Sequence, residues 1–141
     1  LLQAEVEYYF DRKKFILVPT FSGDGSIHFR LYVLYTAMLT AELKIQTHNK
    51  SGSQLIPWSD LHTKPIAHIF HNDGPAPFMR LIAQHTFASL KKAQRSAEAI
   101  VFSDADHSSF RDGAIALARR SMDGEDRDQT IRNVLKYNGF N

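Results

Sequence analysis

Hydrophobic and polar positions change their period several times along this chain, and each change marks an element. Leu2 to Phe10 alternates loosely and is rich in Val, Tyr and Phe, which predicts a strand. Lys14 to Thr20 reads as its antiparallel partner, weakened at the far end by Pro19, so Asp11-Arg12-Lys13-Lys14 forms a charged hairpin tip. Ser22-Gly23-Asp24-Gly25 is a loop, because glycines supply the positive φ that a reversal needs. Ser26 to Ala41 is apolar on most faces and predicts a largely buried helix, followed by a strand over 42–47. The polar stretch 48–64 reads as a long surface connection.

Beyond it, Ile66 to Phe70 predicts a short strand and 71–75 a loop. Met79, Ile82, Ala83, Thr86, Leu90, Ala93 and Ala97 recur at helical spacing, which predicts a helix from Pro77 to Ala99. A strand over 100–103 follows, then a helix over 109–122 with Ser109 as its cap. Gly113 weakens the first turn of that helix, and Asp123-Gly124 breaks it. A last helix covers 126–138, with Gly139 as a left-handed cap. The order ββαββαβαα indicates an α+β fold with a mainly antiparallel sheet and packed helices. The 141 residues make one domain, or two subdomains over 1–48 and 65–141, with 49–64 a surface loop.

Composition narrows the classes. No segment reaches the roughly 18 apolar residues of a membrane span. The absence of cysteine removes disulfides, thiolate metal sites and cysteine nucleophiles, and suits a reducing compartment. With a first residue other than Met, the expectation is a piece of a longer protein. Net charge is only +2, but its distribution is uneven. Residues 74–100 hold Arg80, Lys91, Lys92 and Arg95 against Glu98, whereas 101–128 hold seven acids against four bases. Such segregation suits a polyanion site or a charged protein interface.

Three chemistries compete for these residues. His62, His68 and His71 with Asp73, or Asp104 and Asp106 with His107, have metal-ligand character; polar loop composition and helix capping explain the same residues. Nucleophilic catalysis lacks support: there is no nucleophile elbow, no phosphate loop with its Lys and no Cys. Polyanion binding fares better. Arg80, Gln84, Lys91 and Arg95 fall within about 60° on a helical wheel, away from the core stripe. Arg12, Lys13 and Lys14 sit beside Tyr8, Tyr9 and Phe10, the mixture of cations and rings that single-stranded RNA recognition uses.

One resemblance sharpens this. Ala4-Glu5, Tyr9-Phe10-Asp11-Arg12-Lys13-Lys14 and Asp24-Gly25-Ser26-Ile27-His28-Phe29-Arg30 resemble the C-terminal conserved region of the polymerase-suppressor protein family, over residues 4–46. That region pairs an acidic-aromatic strand and a basic turn with a second strand and a helix start. His28 stands where the family usually has Asp, Leu31 where it has Glu, and Phe21-Ser22 reads as an insertion. The resemblance implies a cytoplasmic, post-transcriptional role in messenger-ribonucleoprotein assemblies, and it carries no catalytic residues. The expectation is a non-enzymatic RNA-associated module without cofactor. Its contacts would be Arg12, Lys13, Lys14 and Arg30, helped by Tyr8, Arg80, Lys91, Lys92 and Arg95. The alternatives are a protein–protein or dimerisation adaptor within a ribonucleoprotein, and a metal-dependent hydrolase.

Overall fold

Val6, Tyr9 and Phe10 recur at the spacing of one helix face, and burial along that face decides the first element. The computed structural model describes residues 4–21, 23, 27–46, 53–65 and 76–136. Helix α1 spans Ala4–Asp11, with Val6 and Phe10 buried and Glu5 and Glu7 in its first turn. Carboxylates there complement the positive end of the helix dipole. The strand predicted over Leu2 to Phe10 is therefore a helix wherever it is described; tertiary burial outweighs the β-propensity of Tyr and Phe.

Strand β1, Phe15–Phe21, follows as predicted, with Phe15, Ile16, Leu17 and Val18 all buried. It pairs antiparallel with β2, Ile27–Val33, so that Phe15 lies opposite Val33 and Phe21 opposite Ile27. The helix predicted over 26–41 is thus a strand followed by one 3-10 turn, Thr36–Thr40. Ile27, Phe29, Leu31 and Val33 alternate strictly with His28, Arg30 and Tyr32, a period of two that suits a half-buried strand.

Strand β3, Glu42–Gln46, pairs antiparallel with β4, Ser53–Pro57, and the single turn α2, Trp58–Leu61, comes next. The surface loop predicted over 49–64 therefore contains a strand and a helical turn. Residues 62–65 run along the outer edge of β2: Leu31 N–H donates to Lys64 C=O and Thr63 N–H to Leu31 C=O. The predicted strand 66–70, the loop 71–75, most of the loop 22–25 and the cap Gly139 lie outside the described residues.

Helix α3 spans Ala76–Ala93, ending six residues before the predicted Ala99, and turns follow between 94 and 98. Helices α4, Asp104–Ser121, and α5, Gly124–Lys136, complete the chain. The predicted strand 100–103 is an extended connection, tied to β2's exit where Ile100 N–H donates to Leu34 C=O. Helix α4 starts before Ser109 because the Ser103 hydroxyl caps it, accepting from Asp106 N–H at 3.1 Å. Gly113 lies mid-helix against β1, where an added Cβ would stand 3.0 Å from Pro19 Cδ. The glycine permits close approach rather than loosening a first turn.

Two core clusters fix the layering. One joins Val6, Phe10, Phe15, Leu17, Leu31 and Trp58 to Ile82, Ala83, Leu117 and Ala118. The other joins Ile16, Val18 and Leu34 to Leu90, Ala93 and Phe110. Early α3 meets late α4 and late α3 meets early α4, so the two helices are antiparallel. Both cover β1. The result is an α+β fold with two small antiparallel sheets. No helix among the described residues is long and apolar enough to cross a membrane.

Candidate nucleic-acid interface

Arg12, Lys13 and Lys14 end a helix instead of tipping a hairpin. Lys13 N–H donates to Phe10 C=O at 2.9 Å and Lys14 N–H to Tyr9 C=O at 3.1 Å. That pair of bonds is the Schellman arrangement, which needs a left-handed residue at its corner. Lys13 takes the position with φ 60°. The Arg12 guanidinium lies 3.4 Å from the centre of the Tyr8 ring, and Tyr8 is 49% exposed. The pairing offers solvent one cation stacked on one ring.

The link is pinned to α3. His85 Nε2 donates to Phe10 C=O at 2.6 Å, and its ring stacks on Phe10 with centroids 3.6 Å apart. A carbonyl only accepts, so the proton sits on Nε2 and Nδ1 accepts from the Ser89 hydroxyl at 3.2 Å. Burial pushes the His85 pKa down to about 4, with the Phe10 carbonyl opposing. The order Ser, His, acceptor resembles a catalytic relay, yet Ser89 is fully buried and the ring is covered by Phe10. It anchors α1.

Further contacts bring the cationic link to the outgoing end of α3. Lys14 C=O accepts from Leu34 N–H, Leu34 C=O accepts from Ile100 N–H, and Tyr35 bridges Ala99. The Lys14 ammonium stands 4.7 Å from the Tyr35 ring centre. Lys91 and Lys92 lie in the last turn of α3, where cations offset the negative helix end, and exposed Arg95 follows. Arg12, Lys13, Lys14, Lys91, Lys92 and Arg95 form no ion pair among the described residues.

Two expected contacts stand apart. Arg80 pairs with Asp126 of α5 at 2.6 Å. It sits eleven residues before Lys91, about 16 Å away along a helix rising 1.5 Å per residue. The helical wheel brought these two onto one stripe and could not register that length. Arg30 Nη1 donates to Thr63 C=O at 2.8 Å, fastening residues 62–65 to β2.

The metal candidates separate as well. His62 Nδ1 accepts from Val33 N–H at 2.9 Å, which places the neutral ring's proton on Nε2 and leaves neither nitrogen a free lone pair. Burial lowers its pKa, with Asp106 opposing. His68, His71 and Asp73 lie outside the described residues. Asp104 and Asp106 occupy the first turn of α4, and no group of three metal-ligating side chains converges among the described residues.

Sequence reasoning missed a groove of about 610 Å³ between α4 and α5, lined by Arg119, Arg127, Asp128, Ile131 and Arg132. The spacing of Arg127 to Ile131 and Asp128 to Arg132, four residues each, was the available signal. No family model, curated protein or solved structure matches the chain.

Proposed function

We propose that this chain is a non-enzymatic RNA-associated module that holds single-stranded RNA at the end formed by the α1–β1 link and the α3 exit. One observation carries the reading: Arg12, Lys13 and Lys14 stand without ion pairs among the described residues beside an exposed tyrosine already stacked on a guanidinium, and backbone bonds through Leu34 tie them to the segment that follows α3 and its Lys91 and Lys92. Unpaired Lys and Arg suit phosphate contacts, and Tyr8 offers a face for a base. Arg30 and Arg80 lie outside this group, Arg30 fastened to Thr63 C=O and Arg80 paired with Asp126. The likeness of residues 4–46 to the polymerase-suppressor region supports the same cytoplasmic, messenger-ribonucleoprotein role. It is a likeness of residues, for the helix α1 and strand β2 stand where that region has a strand and a helix start.

The test is fluorescence anisotropy with a labelled single-stranded RNA of mixed sequence, titrated against salt. Lys13→Glu with Lys14→Glu should weaken binding and flatten the salt slope by about 0.7 per lost contact. Unchanged affinity and slope would remove this end from the site.

A further inference from the structure

We propose that the α4–α5 groove is a docking site for an acidic peptide segment of a partner protein, separate from the RNA-facing end. Its lining carries three guanidiniums, Arg119, Arg127 and Arg132, against one carboxylate, Asp128. Arg119 forms no ion pair among the described residues. Arg127 holds its sequence neighbour Asp128 at 3.2 Å, and Arg132 holds Glu125 at 2.5 Å and Gln129 at 2.9 Å. These partners belong to α5 itself, with Glu125 and Gln129 exposed and Asp128 half-buried, and surface pairs of this kind contribute little and exchange readily. The guanidinium forks are thus already arranged for carboxylates, which they can bind bidentately.

Two features favour a peptide over RNA in this groove. Ile131 packs partly against the core and gives the groove an apolar floor for an aliphatic side chain. None of the lining residues is aromatic, so a base would find no ring on which to stack. The groove also lies at the other end of α3 from Lys91 and Lys92. Because α3 and α4 are antiparallel, the end of α4 adjoins the start of α3, where Arg80 meets Asp126. The eleven residues from Arg80 to Lys91 put about 16 Å along α3 between those two ends.

The probe is a fluorescein-labelled peptide of about a dozen residues with glutamates flanking a leucine pair, followed by anisotropy on the full chain. Arg119→Glu with Arg132→Glu should weaken binding by at least about tenfold, while Lys13→Glu with Lys14→Glu leaves it unchanged. Asp128→Asn removes the one acid in the groove and should tighten binding, an effect that damage to the fold would not produce. Several results overturn the proposal: no binding by the parent protein, equal binding of the same peptide with glutamine for glutamate, or no tightening in Asp128→Asn. Loss of RNA binding, and not of peptide binding, in the α4–α5 variants would assign the groove to nucleic acid instead.

Discussion

Consider lowering the pH from about 7.5 to about 5. His85 is 8% exposed and sits between Phe10, Ser89 and the charges of Asp11 and Lys13. Burial holds its pKa at about 4, against 6.5 for the free side chain. Between those values the unfolded chain binds a proton at this position and the folded chain does not. Stability is therefore complete above about pH 6.5 and falls as the pH drops toward 4. Linkage sets the loss at about 2 kcal/mol between pH 7.5 and 5, and about 3 kcal/mol by pH 4. For a domain stable by about 5–15 kcal/mol that is a large fraction. Burial also lowers His62 and His107, which adds slope of the same sign, so the informative quantity is a difference between two proteins. Urea unfolding followed by the fluorescence of Trp58, the only tryptophan, should be run on the parent and on His85→Gln across this range. The parent should lose about 2 kcal/mol more than the variant. Equal losses, or an NMR titration of His85 near 6.5 in the folded protein, would refute the reasoning.

Two other outcomes follow from the backbone. Lys13→Gly relieves a left-handed lysine and should stabilise the protein by about 1 kcal/mol in urea unfolding, while RNA affinity falls; a loss of stability would contradict the helix-end geometry. Gly113→Ala improves helix propensity by up to about 1 kcal/mol, yet its Cβ would meet Pro19 Cδ at 3.0 Å and Cγ at 3.3 Å. The clash should win, giving a net loss of about 1–2 kcal/mol in thermal or urea unfolding.

The amphipathic helices were legible in the chain because their apolar residues recur over many turns. Ile82, Ala83, Leu90 and Ala93 face the core as their spacing requires. The first forty residues misled because short elements carry few repeats of any period. Val6, Tyr9 and Phe10 are compatible with a strand by composition and with a helix by spacing, and only the neighbours Phe15, Trp58 and His85 decide. At β2 the deciding alternation was present from Ile27 to Val33, but the density of apolar residues continuing to Met38 masked it. The cations at the α1–β1 link were identified from sequence, whereas their grouping with Lys91, Lys92 and Arg95 depends on bonds from Lys14 through Leu34 to Ile100. No local pattern encodes a contact spanning that much chain. Arg119 and Arg132 escaped notice for the same reason, since their groove exists only where two helices meet.

Strand β1 has a consequence for how this protein is made. Its run Phe15-Ile16-Leu17-Val18 is covered in the finished fold by α3 and α4, whose contacting residues Ile82, Leu90, Phe110 and Leu117 are translated much later. At about 5–20 residues per second, the hundred or so intervening residues take roughly 5–20 s to synthesise. For that interval the side of the strand that α4 covers stays bare, although α1, β2 and, later, α3 are already translated. Holding chaperones on the ribosome would find their substrate here, and expression slowed at the codons between the two sheets and α4 should lower the soluble yield.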